Sequence, residues 1–292
     1  MTRAKLYEYR ADLLLLTVAI AWGVTFLMVQ DAIESTPVYA FLFFRFTLAS
    51  ILMFFIAYKF LKETNIQTVL YGVILGLFLF FAFATQTFGL AHTKSSIVAF
   101  ITGLNVICVP FLAYFIFKDK VRRNVFIASL IAVFGLYLLT MSGKLTLGTG
   151  EFLTLICAFL FALQIIFTGK FSKQVNVYLL VLYQLLTVSI LSLGFSLVLD
   201  DTTFGIEYDY TFYKAVFVTA IFATVYAFLI QTYMQQFTTA TKTAIIFTME
   251  PVSASIYGYF VGGEILTSIQ IFGAALIIVA TLVSELQFKR KK

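Results

Sequence analysis

Apolar residues run along this chain in blocks of about 20, parted by short polar or charged interruptions, from near one end to the other. A helix rises about 1.5 Å per residue, so a block of that length crosses a hydrocarbon core about 30 Å thick. The pattern predicts ten membrane-spanning helices, near residues 13–30, 38–58, 68–91, 95–117, 124–141, 151–169, 177–199, 213–236, 243–261 and 266–286. The connections are short except for Asp200 to Tyr210. The first block, Leu13 to Val29, follows Arg3, Lys5 and Arg10 and contains Ala19-Ile20-Ala21, which imitates a cleavable leader. It runs on to Gln30, so it is read as a retained helix.

The polar interruptions repeat. Gln86-Thr87-Phe88 returns 145 residues later as Gln231-Thr232-Tyr233, and the same shift pairs Ala99 with Ala244, Tyr114-Phe115 with Tyr259-Phe260, and Asp119 with Glu264. A shift of 139 pairs Val38-Tyr39 with Val177-Tyr178 and Ser50-Ile51-Leu52 with Ser189-Ile190-Leu191. These colinear matches predict two five-helix repeats, residues 11–141 and 150–288. Five is odd, so the second copy enters the membrane upside down relative to the first. The expected fold is an all-α integral membrane protein of ten transmembrane helices, arranged as two inverted five-helix repeats. Inverted repeats are a common plan for secondary transporters, with the substrate held near the midplane.

Composition agrees: 61% of the 292 residues are hydrophobic and 12% charged, where a soluble domain has about 25% charged. The net charge of +6 suggests nucleic acid at first sight, but the basic residues sit in short loops and at the termini rather than on one stripe. No nucleic-acid partner is expected. Placed on the predicted topology, sixteen lysines and arginines fall on the side of the termini, against Lys94, Lys144 and Lys214 on the other. Acidic residues (Asp31, Glu34, Glu151, Asp200, Asp201, Glu207, Asp209, Glu264) gather opposite them. The segment 118–123, rich in lysine and arginine, corresponds to 263–268, which has none. Cytoplasmic loops carry the excess of Lys and Arg, so both termini are expected in the cytoplasm. The absence of an Asn-x-Ser/Thr site accords with a bacterial inner (plasma) membrane.

Cys108 and Cys157 lie inside apolar blocks and read as small hydrophobes. With His92 as the one histidine, no Cys/His metal cluster can be assembled, and neither metal nor cofactor is expected. There is no phosphate-binding glycine loop and no His-Glu-x-x-His motif, so an enzyme is not expected.

Three features resemble the ten-helix EamA-type branch of the drug/metabolite transporter superfamily. The first is Ala21-Trp22-Gly23, followed by Pro37 and Phe44-Arg45-Phe46. The second is Phe247-Thr248-Met249-Glu250-Pro251-Val252, leading to Gly262-Gly263-Glu264. The third is a glycine in the last helix of each repeat, Gly135 and Gly273. The resemblance implies transport, often export, of amino acids or other small metabolites or drugs through a cavity lined by the first, third, fourth, sixth, eighth and ninth spans. One departure is that Asn105 stands where the repeat puts Glu250, with Pro110 five residues later.

Glu250 is the one acid placed inside a span away from its ends. A charged side chain at mid-bilayer costs about 2.5–3.5 kcal/mol even on the lenient insertion scale. It therefore reads either as a substrate-amine or proton-coupling site, or as a packing carboxylate paired with Lys242. Arg45 reads either as a clamp for a substrate carboxylate or as a structural residue of the second span. The candidate cavity residues are Trp22 and Thr25 in the first span, Phe78 and Gln86 in the third, and Thr102 and Asn105 in the fourth. Gln164 in the sixth, Tyr226 and Gln231 in the eighth, and Glu250 and Tyr257 in the ninth complete the set. Thr224, Phe228, Gln231 and Gln235 recur at helical spacing on one face. Gly72 and Gly76 permit close helix approach. The expected partners are a small-molecule substrate and the lipid bilayer, with a proton as the candidate coupling ion; a passive facilitator or channel is the alternative on the same fold. The oligomeric state stays open.

Overall fold

The computed structural model describes residues 3–119, 123–139, 148–200, 203–205, 207–261, 263 and 267–285. Lys120, Arg122, Lys144, Asp201, Glu264 and the basic run 289–292, used above for topology, lie outside them. All regular structure among the described residues is helical. In chain order it comprises α1 (Arg3–Ile33), α2 (Val38–Ala57, continued by a 3-10 turn, Tyr58–Glu63), α3 (Ile66–His92), α4 (Ser95–Gly103), α5 (Asn105–Phe117), α6 (Arg123–Leu139), α7 (Thr149–Phe171) and α8 (Val177–Leu199). Then come α9 (Tyr210–Val218), a π-helical stretch (Thr219–Tyr226), α10 (Ala227–Met234), α11 (Ala240–Phe247), α12 (Met249–Val261) and α13 (Ser268–Glu285).

Eight segments are long and apolar enough to cross a membrane, taking α4–α5, α9–α10 and α11–α12 as one each. α6 and α13 are apolar but shorter. Large apolar side chains such as Phe55, Phe115, Phe152, Ile190 and Phe260 are exposed on the outside of the bundle. In water such a surface would aggregate; against lipid tails it is the solvated face. The protein is a multi-pass membrane protein.

Helix starts are set by polar residues at the ends of the apolar blocks. The side chains of Asn65, Asn176, Asp209 and Thr239 accept from the amides of Thr68 (2.8 Å), Tyr178 (3.0 Å), Phe212 (2.8 Å) and Lys242 (3.2 Å). Each satisfies an otherwise orphaned amide and contributes about 1 kcal/mol. Asp200 does the same across the bundle. Its carboxylate accepts from the amide of Ala40 in the first turn of α2 (2.9 Å) and from Ser196 Oγ (3.1 Å). Burial pushes the Asp200 carboxyl above its usual range, outweighing those two bonds.

Where helices cross closely, the sequence supplies glycine. A Cβ on Gly72 would lie 2.3 Å from Tyr183 Cβ, and one on Gly76 2.4 Å from Thr187 Cβ, so α3 meets α8 backbone to backbone. α2 also lies along α8, α1 along α12, and α6 along α13, the last pair touching at Gly135 and Gly273. Two apolar cores result. One is built on α2, α3, α8 and α9, the other on α4 to α7, α11 and α13, and Trp22 packs against both.

Three of the expected spans are not continuous. The fourth is interrupted at Leu104 and the ninth at Thr248, each with ψ of −9°. At both points a three-residue bond replaces the helical one, Leu104 N to Ile101 O (3.1 Å) and Thr248 N to Ile245 O (3.1 Å). At Thr248 the cause is Pro251, whose ring crowds the carbonyl four residues back and which has no N–H to give it. Pro110 is six residues beyond Leu104 and does not explain that break. The eighth span carries the π-helical stretch, within which Thr224 Oγ1 donates to Thr219 O (2.9 Å).

Candidate functional site

The junction of the two cores holds a small cavity of about 40 Å³. That suffices for a few waters; a metabolite needs the walls to part. Two long helices supply repeating faces. Trp22, Thr25, Phe26 and Val29 come from α1, and Phe83, Gln86, Thr87 and Leu90 from α3. Both sets follow the i, i+3, i+4, i+7 spacing of one helix side.

The interrupted helices bring the remaining polar groups. The turn at Leu104 leaves Thr102 and Asn105 on the wall, and the turn at Thr248 does so for Phe247 and Glu250. Gln164 of α7 and Gln231 of α10 join them. Gln86 Nε2 donates to Thr102 Oγ1 (3.2 Å), and Gln231 Nε2 to Gln164 Oε1 (2.9 Å). Asn105 Oδ1 is buried without a partner. Glu250, 6% exposed, makes no side-chain hydrogen bond or ion pair among the described residues. Its position is set by α1: a Cβ on Gly23 would lie 1.9 Å from Ser253 Oγ and 2.4 Å from Glu250 O. Ser253 Oγ in turn donates to Glu250 O (2.9 Å) and Ala19 O (3.3 Å).

Arg45 reaches the same cavity from α2. Its Nε donates to Thr224 Oγ1 (2.9 Å) and its Nη2 to Ala223 O (3.4 Å), both in the π-helical stretch. The same Ala223 carbonyl accepts the Trp22 indole N–H (2.8 Å). The guanidinium lies 4.7 Å from the Phe83 ring centroid and 5.3 Å from that of Phe46, within cation–π range. No carboxylate pairs with it among the described residues. One wall thus carries a fixed cation and another a carboxylate, with aromatic rings and amides between them.

Residues 9–141 match the EamA-like transporter family, and residues 148–285 match it again. The chain belongs to the EamA-like transporter family. It therefore carries two copies of the EamA unit and is a transporter of the drug/metabolite superfamily. It is 33% identical over 277 residues to an uncharacterised transporter of Archaeoglobus fulgidus, covering 95% of this chain and 86% of that protein. A protein known from its crystal structure superposes with a TM-score of 0.79 over 95% of this chain and 96% of its own length. At 14% identity that likeness concerns the fold alone.

Within this EamA framework, eight of the eleven cavity candidates read from the sequence come together: Trp22, Thr25, Gln86, Thr102, Asn105, Gln164, Gln231 and Glu250. Phe78, Tyr226 and Tyr257 stand outside the wall. Phe78 is eight residues from Gln86, about 12 Å along the helix axis, and packs on Phe167 (centroids 5.5 Å apart). Tyr226 is five residues from Gln231, a separation that turns it away from that side chain, and its hydroxyl meets Thr17 Oγ1 (2.7 Å). Tyr257 shares the face of Glu250 but lies two turns farther along α12, beyond the cavity's end.

The pairing of Glu250 with Lys242 is corrected as well. Lys242 Nζ bonds Glu8 (3.0 Å) and Asp12 (2.8 Å) of α1. The wall residues that the sequence reading left out are mostly aromatic or aliphatic (Phe83, Phe161, Val29, Leu90), which composition cannot separate from lipid-facing bulk. Thr87 was within reach, because it belongs to the repeated Gln-Thr-aromatic motif.

Proposed function

We propose that the protein is a secondary transporter that exports amino acids or other small zwitterionic metabolites by alternating access across the central cavity. The observation that carries this is the cavity wall itself. Arg45 and Glu250 both face it, neither is paired with a protein charge among the described residues, and both are held in place by backbone contacts. A substrate with a carboxylate and an ammonium group complements both ends, and a proton on Glu250 is the candidate coupling event. Export is the direction implied by the resemblance to the drug/metabolite superfamily.

On this reading the chain has ten membrane helices, with α6 and α13 as the last of each half. The repeats 11–141 and 150–288 are inserted oppositely, in a bacterial inner membrane with both termini cytoplasmic. The charge bias of the loops supports that orientation. The matched interruptions at Leu104 and Thr248 support a midplane site between the halves, where discontinuous helices place the substrate in such transporters.

The test is efflux of radiolabelled zwitterionic amino acids from preloaded proteoliposomes, alongside their decarboxylated amines and deaminated acids. Saturable flux restricted to the zwitterions is expected. Equal flux of all three classes, or none, would end this reading. An uncoupler decides the mechanism: flux only down the gradient and unaffected by it would make the protein a facilitator.

A further inference from the structure

A second cavity lies farther along three of the same helices. α5 contributes Asn105 to the first cavity and Ala113 to the second, α7 contributes Ile165 and then Gly169, and α11 contributes Phe247 and then Thr241. Those separations of eight, four and six residues amount to about 12, 6 and 9 Å along the helix axes. The second cavity is the roomier, with about 330 Å³ open to the centres of water molecules against about 40 Å³. Its wall is polar, with Asp119, Lys170, Lys173 and three threonines, Thr238, Thr239 and Thr241.

Between the two lies a layer of amide side chains. Gln231 Nε2 donates to Gln164 Oε1 (2.9 Å) and to Gln235 Oε1 (3.4 Å), and Gln235 Nε2 to Ile165 O (3.1 Å). All three glutamines are fully buried, yet Gln164 Nε2 and Gln231 Oε1 have no partner. One turn beyond Gln164 on α7 the hydroxyl of Thr168 is also buried and unpaired, as are those of Ser172 at the end of α7 and of Thr238 on the wall of the second cavity. A buried polar group without a partner forfeits its hydration, as Ser50, Gln184 and Ser192 also do in α2 and α8, and what sets this row apart is its place. A row of such groups, running between two cavities that share three helices, suits a surface that is wetted in another state. Ion pairs tie these helices at the same end: Lys170 of α7 to Asp119 beyond α5 (2.8 Å), and Lys242 of α11 to Asp12 of α1 (2.8 Å).

We infer that the second cavity is the opposite mouth of the substrate path, and that the Gln164–Gln231–Gln235 layer is the gate closing it. The inference rests on the transport reading above. It assigns the unpaired hydroxyls of α7 to the passage that opens when the gate parts, and the two ion pairs to the latch that must release.

The experiment uses silver ions, which fit a cavity sized for a few waters, on a Cys108→Ala/Cys157→Ala background. Vesicles of known sidedness are exposed on one face, denatured, and titrated with a fluorescent maleimide; a cysteine that silver has reached stays dark. Thr25→Cys in the first cavity is expected to be blocked from one face and Thr241→Cys in the second from the other. Thr168→Cys is expected to react at least tenfold more slowly than Thr241→Cys, and to gain at least tenfold from the Thr241 side once Gln231→Ala removes the gate. Blocking of Thr25→Cys and Thr241→Cys from the same face would overturn the path; this arm needs no gate variant. No gain at Thr168→Cys in a Gln231→Ala protein that keeps its Trp22 emission would overturn the gate. None of these readings needs a substrate, so loss of all solute flux with the labelling pattern intact would count against the transport reading alone.

Discussion

Replacing Glu250 with glutamine separates a substrate site from a packing residue, because the two roles predict opposite signs. The side chain is almost fully buried, faces the cavity, and has no hydrogen-bond or ion-pair partner among the described residues. Glutamine has nearly the same shape and no charge. An ionised carboxylate near mid-membrane costs about 2.5–3.5 kcal/mol, so the neutral amide leaves stability unchanged or raises it. A substrate ammonium, by contrast, loses a charge-assisted hydrogen bond worth about 1.5–3 kcal/mol. At 1.4 kcal/mol per tenfold, affinity falls by about 10- to 150-fold. Trp22 is the single tryptophan of the chain and lines the cavity, so its fluorescence reports binding without a label, and thermal unfolding in detergent reports stability. Affinity within about twofold of wild type, or a clear loss of thermal stability, would show that Glu250 belongs to the packing and refute the site.

Three further perturbations follow from contacts outside the substrate itself. Gly23→Ala puts a methyl group 1.9 Å from Ser253 Oγ and 2.4 Å from the Glu250 carbonyl; overpacking of this kind costs about 1–3 kcal/mol, and flux and unfolding temperature should both drop with membrane insertion intact, whereas wild-type flux would mean that α1 and α12 do not meet there. Lys242→Met takes a charged partner from the Asp12 carboxylate, 13% exposed, for a loss of about 1.5–3 kcal/mol, while Glu8, a third exposed, adds little. A loss under about 1 kcal/mol in chemical unfolding would contradict the pair. For Asp200 the folded carboxyl titrates above the ordinary value of 3.8 because of its burial, so the folded state holds its proton more tightly and stability declines as pH rises from 3.8 through the raised value. Asp200→Asn keeps an acceptor for the Ala40 amide and should flatten that decline; an unchanged slope in pH-resolved melts would remove Asp200 as its source.

Much of the fold was legible because the bilayer imposes a simple rule on sequence: blocks of apolar residues set the helices, and polar caps such as Asn65, Asn176 and Thr239 set their starts. Gly72 and Gly76 marked a close approach on α3 for the same reason, since small residues four apart leave a groove, but not that its partner is α8. The interruptions were half legible. Pro251 signals the break at Thr248, but nothing of that kind marks Leu104, and the π-helical stretch Thr219–Tyr226 has no proline or glycine in it. Glu250, Gln86 and Gln231 stood out as polar groups in apolar surroundings. Phe83 and Phe161 could not, because a ring facing a cavity and a ring facing lipid look alike in one dimension. Phe78 and Tyr257 lie outside the wall for the complementary reason, because depth along a helix is not encoded in the face a residue shares, and Tyr226 lies outside it because it is turned away from Gln231.

The irregular backbone and the cavity have a common cause. In hydrocarbon a carbonyl without a partner is costly, so departures from the α-helix persist only where protein or trapped water can satisfy the freed groups. Here two departures, at Leu104 and at Thr248, border one space, and the third, over Thr219–Tyr226, holds Trp22 and Arg45 on its wall. The π-helical stretch presents the Ala223 carbonyl to Trp22 and Arg45 together, which fixes the cation; the Thr248 turn, seated on Gly23, fixes the carboxylate. The duplicated architecture supplies both interruptions, but Asn105 in one copy and Glu250 in the other break the equivalence. Two carboxylates would repel each other and select a dication. On the proposed reading, one carboxylate against an arginine makes a site with direction, in which a zwitterion would bind in one orientation and the two ends of the path would be chemically distinct.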